Sequence, residues 1–491
     1  MIGAIVIGIY GVSLLVIFFY AIIQFSLAVS YLRFKKKNVI LVSEIKNDFP
    51  FVTIQLPIYN EKYVVERLLK KTSEIDWPKD KLEIQILDDS TDETKEILDK
   101  LIAEFQTKGI AVTLVRRPTR EGYKAGALKF GLPLSKGEFI AIFDADFLPD
   151  SQFLKKTIPV FNDEKVGVVQ TRWEHLNRNF SLLTKLQAFA LDAHFSVEQV
   201  GRNSNGYFIN FNGTAGVWRR KTIDDAGGWE ADTLTEDLDL SYRAQMKKWK
   251  FVYREDIGSP AELPVAMSAL KSQQFRWTKG GAETFKKMFH RLITTPDLRF
   301  SERINGLAHL FNSSVFVFVL LLALSSVALV YLVTVDLMVS KWLNYASVFF
   351  ISTIFLIFYY AVSFREKASS KILLVPLFVF RFIQFLIVMM GLSFHNTIAV
   401  LQGYFGKKTE FVRTPKFNSI SSADPKWKKN NYLNSRIKFS AVMEFTLFLL
   451  FGFAIVIGIR SEVYGMIPFH SMATVGFLSV FIYSIVESTR G

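Results

Sequence analysis

The sequence predicts an α/β domain inserted into a bundle of α-helical membrane segments, and three observations carry that prediction. Half of the 491 residues are hydrophobic, 47 are Phe, and the mean hydropathy is positive, as expected of a chain with membrane segments. Met1 to Leu32 holds no charged residue, and long uncharged stretches return only after residue 304. Between them, from about Phe51 to Gly281, strand-like apolar runs alternate with helical periodicity, which is the pattern of βα units.

The N-terminal stretch, residues 1–32, is long enough for one tilted spanning helix. Arg33-Phe34-Lys35-Lys36-Lys37 follows it. A cleaved leader carries its positive charge in front, so the order here predicts an uncleaved anchor with its N-terminus outside. Residues 33–50 then form a basic linker on the cytoplasmic side.

Residues 51–290 are expected to be a cytoplasmic domain. FVTIQLPIY, LEIQILDD, IAVTLVRRP and EFIAIFDAD read as strands, with helices over Glu61–Ser73 and Asp92–Lys108. Such alternation implies a parallel sheet covered on both faces. No G-x-G-x-x-G follows the first strand and no Walker A pattern occurs, which argues against dinucleotide and P-loop chemistry. With no cysteine, disulfides, thiolate metal sites and cysteine nucleophiles are excluded. The net charge of +14 is assigned to cytoplasmic membrane loops and not to nucleic-acid binding.

Residues 291–491 make a membrane domain with spans over 304–335, 343–364, 439–459 and 463–486. The segment 372–402 is apolar but carries Arg381, Gln384, His395 and Asn396. If it crossed, the loop 403–438 would face outside, yet that loop holds Lys407, Lys408, Arg413, Lys416, Lys426, Lys428, Lys429, Arg436 and Lys438 against Glu410 and Asp424. Such an excess belongs in the cytoplasm. A central Arg also costs ~2.5–3.5 kcal/mol on insertion scales. The segment is therefore read as lying along the cytoplasmic interface, giving five spans in all. The chain ends directly after the last span, so no C-terminal regulatory domain is expected.

The candidate chemistry lies at strand ends. Gly137–Asp150 delivers Asp144-Ala145-Asp146 from a buried strand, where two carboxylates one residue apart can hold a hard divalent cation on a diphosphate. Gln55-Leu56-Pro57-Ile58-Tyr59-Asn60-Glu61 ends the first strand and can face a base, or be a proline turn capped by Asn60. Asp88 and Asp89 end the second and can accept from ribose or base, unless Ser90 and Thr91 merely cap a helix. Lys124, flanked by Gly122 and Gly126, can meet phosphate as a point charge. Thr235-Glu236-Asp237 supplies a carboxylate able to take a proton from an attacking hydroxyl. Gln273, Arg276 and Trp277 add a fork donor for a departing diphosphate and an indole face for a sugar ring. His175, His194 and His290 stand at no metal spacing and read as structural.

Taken in order, Asp89, Asp144/Asp146, Thr235-Glu236-Asp237 and Gln273/Arg276/Trp277 resemble the D, D-x-D, T-E-D and Q-x-x-R-W signature of membrane family 2 glycosyltransferases of the cellulose synthase superfamily. QLPIYNE, GYKAGAL, LDAHFSVEQ, FNGTAGVWRR and GGW look most like the plant glucomannan (mannan) synthase branch. The resemblance implies a GT-A domain on a transmembrane channel. It implies Asp88, Asp89 and Lys124 on the nucleotide, Mg²⁺ or Mn²⁺ on Asp144 and Asp146, and Asp237 as base. Gln273, Arg276 and Trp277 would hold diphosphate and acceptor, with Asn212-Gly213-Thr214 lining the acceptor side. Phe411 and Thr414 match the outer positions of the family's gating-loop motif F-x-V-T, but Val412-Arg413 stands where x-Val is expected.

The implied function is an inverting, processive β-glycosyltransferase that uses GDP-mannose or UDP-glucose and passes a β-1,4-linked polymer across the plasma (inner) membrane. Its implied partners are the nucleotide-sugar donor, a growing polysaccharide, the lipid bilayer and accessory export proteins. The alternative is a non-processive enzyme adding one sugar to a lipid acceptor. A non-catalytic membrane scaffold would need none of the four motifs together.

Overall fold

The computed structural model describes residues 2–37, 48–367, 374–409, 411–418 and 439–488. Most of the basic linker and of the loop 403–438, including Glu410, therefore lies outside the described residues.

The α/β domain is built on a seven-stranded sheet. Its strands are β1 (Val52–Ile58), β2 (Leu82–Asp88), β3 (Val112–Val115), β4 (Phe139–Ile142), β5 (Val166–His175), β6 (Gly216–Arg219) and β7 (Lys250–Ala261). The order is β3-β2-β1-β4-β6-β5-β7. The first four strands pair in parallel, as their βα alternation predicts. The whole sheet, however, is mixed: β6 runs antiparallel to both β4 and β5. This departs from the expected all-parallel sheet. The physical reason lies in β6, four residues whose neighbours on both sides provide the pairing that so short a run cannot specify alone.

Side chains of β4 alternate between two cores, as the period of a strand requires. Phe139, Ala141 and Phe143 pack with Phe153 and Phe161 on one face. Ile140 and Ile142 pack with Leu128, Trp218 and Trp229 on the other. Polar residues in the central strands satisfy one another: Gln55 Nε2 donates to Gln85 Oε1 at 2.8 Å, and Gln85 Nε2 donates to the Gly131 carbonyl at 3.0 Å. Because β1, β2 and β4 are parallel neighbours, Tyr59, Asp89 and Asp144 emerge from one edge, where open α/β sheets hold ligands.

Six helices among the described residues are long and apolar enough to cross a membrane: Gly3–Lys36, Phe300–Val335, Val339–Glu366, Leu374–Tyr404, Phe439–Arg460 and Tyr464–Glu487. The chain is a multi-pass membrane protein. By length and composition alone, Leu374–Tyr404 adds a sixth span to the five expected. It packs on two membrane helices, with Gly391 against Gly476 and Thr397 Oγ1 donating to the Phe316 carbonyl at 3.0 Å, and it also reaches the α/β domain and the helix Met267–Thr294. Phe378 and Phe385 lie 6.2 and 5.5 Å from Phe189 on the helix Leu182–Asp192. His395 Nε2 is 2.9 Å from the Lys271 carbonyl. At the far end Lys286 Nζ donates to the Tyr404 carbonyl at 2.9 Å.

Candidate active site

An open cleft lies at the carboxyl edge of the sheet, against the helix Met267–Thr294. One end of the cleft is set by β1, β2 and the turn after β3. Asp89 takes a bidentate pair from Arg117, Nε at 2.8 Å and Nη2 at 2.6 Å. The guanidinium of Arg120 sits 3.3 Å above the centre of the Tyr59 ring and 4.8 Å from that of Tyr123. Asp88 is different. It is buried outside the cleft, accepting from Arg116 Nε at 2.7 Å and from the Ser90 N–H at 2.9 Å. Unlike Asp89, Asp88 is not among the residues that line the cleft.

The middle of the cleft is acidic and crossed by lysines. Lys124 Nζ donates to Asp144 Oδ1 at 2.5 Å and to the Gly213 carbonyl at 2.8 Å. Burial works against the Lys124 charge, but Asp144, Glu236 and Asp237 outweigh it and raise its pKa. Asp146 is buried and accepts from Lys416 Nζ at 2.6 Å and the Glu262 N–H at 3.2 Å. Thr214 is fully buried outside the cleft, its hydroxyl accepting the Asp144 N–H at 2.9 Å. It positions Asp144 and does not line the acceptor side as expected. Asn212 and Gly213 do line the cleft.

Thr235, Glu236 and Asp237 open the helix Glu236–Met246. The Thr235 hydroxyl lies 3.1 Å from that of Thr284. Asp237 Oδ1 accepts the N–H of Leu238 at 2.8 Å, leaving Oδ2 toward Gly213. Desolvation, then the Glu236 charge, push the Asp237 carboxyl up to about 7. Desolvation also raises Glu236, against the pull of Lys124. Gly213 has a φ of +78°, and an added Cβ would lie 2.9 Å from Asp237 Oδ2 and 3.3 Å from Lys124 Nζ. Gly213→Ala should therefore displace both groups and lower turnover by up to ~10²-fold. Wild-type rates in that variant would show the contact to be slack.

Gln273, Arg276 and Trp277 project from the helix Met267–Thr294 into the cleft. Arg276 lies 4.7 Å over the Phe411 ring, and Phe411 stacks on Tyr123 at 5.7 Å. Trp277 stands 6.5 Å from Trp173. Thr414 is buried at the cleft wall, so both gating-loop residues identified from the sequence reach the site. Between and beyond them, Arg413 pairs with Glu61 at 2.5 Å and Lys416 with Asp146. Burial raises the Glu61 carboxyl to about 7 despite Arg413. His175 lines the cleft 3.5 Å from Asp192, while His194 bonds Glu198 at 3.0 Å.

Arg120, Trp173, Arg413 and Lys416 were not singled out from the sequence as site residues. Arg413 and Lys416 carried a signal, since they are basic residues at and just after the gating motif. Arg120 and Trp173 carried none beyond type.

Residues 218–486 match the family model described as Cellulose synthase, and residues 50–280 match that described as Glycosyltransferase like family 2. The chain belongs to the cellulose synthase family. Glucomannan 4-beta-mannosyltransferase 7 of Arabidopsis thaliana is 42% identical over 255 residues, 51% of this chain and 46% of that protein. Glucomannan 4-beta-mannosyltransferase 1 of Oryza sativa subsp. japonica is 41% identical over 268 residues, 54% of this chain and 51% of that protein. The matched stretch spans about half the length of these curated relatives. Among solved structures, the mannosyltransferase PcManGT from Pyrobaculum calidifontis, in complex with GDP-Man and Mn²⁺, superposes with a TM-score of 0.55. It is 20% identical, covers 82% of this chain and all of its own, and places the seven-stranded sheet in the GT-A fold.

Asp144 and Asp146 fit the divalent cation implied by this family. They are hard oxygen donors one residue apart, and each already holds an ammonium group, Lys124 at 2.5 Å and Lys416 at 2.6 Å. A second acidic cluster, Glu230, Asp232 and Asp239, lies elsewhere. Its three carboxylates converge on Lys287 Nζ at 2.6, 2.8 and 2.9 Å, so a lysine already serves it.

Proposed function

We propose that the chain is an inverting, processive β-glycosyltransferase that builds a β-1,4-linked hexose polymer at its cytoplasmic face and passes it across the plasma membrane. The observation that carries this reading is the meeting of Asp144, Asp237, Arg276 and Trp277 in one cleft whose wall is a helix packed on the membrane bundle. The names of the relatives favour mannose as the transferred sugar, and hence GDP-mannose over UDP-glucose as donor.

The residues divide the work by position. Asp89, Tyr59 and Arg120 face the nucleoside. Arg276 and Gln273 stand where the diphosphate departs, and a guanidinium is suited to accept its growing charge. Held by Asp144 and Asp146, Mg²⁺ or Mn²⁺ would supply electrostatic stabilisation of the leaving diphosphate. Lys124 balances the carboxylates across the centre. Asp237 takes the proton of the acceptor hydroxyl as it attacks the anomeric carbon opposite the diphosphate, while Trp277 and Trp173 offer faces to the acceptor sugars. Turnover of purified protein with GDP-mannose, UDP-glucose and UDP-N-acetylglucosamine, followed by product digestion, tests the reading. Transfer of a single sugar to lipid, with no polymer from any donor, would replace it. An apolar cavity lined by Leu183, Leu270, Phe385 and Met389, which shares Gln273 and Trp277 with the cleft, is the observation favouring that second reading.

Topology gives a separate check. We place Leu374–Tyr404 along the cytoplasmic interface, because the strongly basic stretch 403–438 that follows it belongs in the cytoplasm. Reporters after Lys37, Lys371 and Lys429 should all be cytoplasmic, and one within Asp336–Trp342 should be external. An external signal at Lys429 would mean that the helix crosses.

A further inference from the structure

The helix Met267–Thr294 carries the acceptor-side residues, yet its own N-cap is Ala266, which has no side-chain acceptor. The first N–H groups of a helix need partners, and a carboxylate there also meets the positive end of the dipole. The last membrane helix, Ile467–Ser488, provides one. Glu487 accepts from the Met267 N–H at 2.5 Å and the Ser268 N–H at 2.8 Å. One turn on, Lys271 Nζ donates to Glu444 Oε1 at 2.6 Å and to Ser484 Oγ at 2.8 Å. Glu444 is fully buried in the helix Phe439–Arg460, otherwise uncharged up to Arg460. A charge within an apolar span is costly and marks a task. His395 of Leu374–Tyr404 meets the Lys271 carbonyl at 2.9 Å. Three helices of the membrane domain thus each place a polar group on one turn of the catalytic helix.

The direction of that grip matters. At 100° per residue, Gln273, Arg276 and Trp277 lie roughly 140–240° around the helix from Lys271. The helix therefore acts as a strut, with the bundle holding one side and the cleft using the other. The geometry points to Glu444 and Glu487 as positioning residues: through Lys271 and the first helical turn they set Arg276 and Trp277 in register with the membrane helices. This inference rests on the glycosyl-transfer reading of the cleft. In it, the polymer end leaves Trp277 already aligned with the bundle, and loss of the grip misplaces the acceptor, and Arg276 at the diphosphate, while sparing the nucleoside, which other elements hold.

The test separates those two ends of the cleft. Glu444→Gln, purified with lipid, should bind the nucleoside monophosphate, which needs neither Arg276 nor Gln273, as the wild type does. Its kcat/KM for a β-1,4-linked oligosaccharide acceptor should fall roughly 10²-fold, with shorter products. Lys271→Glu combined with Glu444→Lys should restore much of the loss, as should Glu444→Asp. If Glu444→Gln does not accumulate as folded protein, the apolar pair Lys271→Met with Glu444→Leu decides, because replacing both partners of a buried pair is often tolerated. Wild-type acceptor kinetics in that double variant, or an equal loss of nucleoside monophosphate binding in Glu444→Gln, would overturn the inference. Failure of wild-type protein to transfer from any nucleotide sugar would defeat the glycosyl-transfer reading instead. Oligosaccharide affinity, followed by tryptophan fluorescence, then still tells whether the pair positions the acceptor site.

Discussion

Asp237→Asn should lower turnover by ~10²–10⁴-fold while leaving donor affinity nearly unchanged. An inverting transfer needs one base facing the acceptor hydroxyl, on the side opposite the diphosphate. Asp144 and Asp146 are committed to cations, and Asp89 to Arg117 at 2.6 and 2.8 Å. Asp237 keeps Oδ2 toward the open cleft beside Gly213. Desolvation and the neighbouring Glu236 charge bring its carboxyl to about 7, so the base form grows as pH rises through neutrality and turnover should rise with it. Glu236→Gln removes the largest charge among the causes, and the acid limb should then move to lower pH. The stability sign follows from the same shift. A carboxyl whose folded pKa is raised costs stability progressively from the unfolded pKa, near 3.8, up to about 7. Asp237→Asn should therefore unfold no more readily than wild type at pH 8, and its lost turnover should not be a loss of fold. Near-normal turnover in Asp237→Asn with a dead Glu236→Gln would transfer the role to Glu236.

The parts legible in the sequence are those fixed by local pattern. Strands β1, β2 and β4 are short apolar runs closed by polar turns, and their parallel pairing follows from the helices between them. Their carboxyl ends bring Tyr59, Asp89 and Asp144 to one place without further information. Strand β7 was hidden because Arg254, Glu255, Asp256 and Pro260 interrupt its apolar pattern, and its register shift opposite Thr171/Arg172 accommodates them. The antiparallel β6 has too few residues to announce itself. Asp88 and Asp89 are adjacent and chemically equal, so which one faces the cleft depended on where Arg116 and Arg117 reach. Thr214 poses a similar choice: a hydroxyl beside a glycine turn can face a ligand or accept from a neighbour, and here it accepts the Asp144 N–H. The partners of Lys271 sit 173 and 213 residues away, beyond the reach of any local signal.

Removal of divalent cations should abolish transfer, and Asp146→Asn should weaken donor binding without unfolding the protein. Asp146 lies at the cleft floor, where one oxygen already gathers Lys416 Nζ at 2.6 Å and the Glu262 N–H at 3.2 Å. That is a strongly electron-rich position, able to exchange a lysine for a harder cation when a diphosphate arrives. Partners that merely orient a metal's ligands typically cost 10–100-fold when lost, so loss of a ligand itself should raise the donor Kd by at least ~10²-fold. The neutral amide keeps the size of the side chain and can still accept from Glu262, which is why the fold should survive. Lys416→Ala supplies the opposite sign. With the competing ammonium gone, Mn²⁺ should bind the donor-free protein more tightly, a change readable by calorimetry without any turnover. Full activity in excess chelator would remove the cation from Asp144 and Asp146. Unchanged Mn²⁺ affinity in Lys416→Ala would mean instead that lysine and cation use different oxygens.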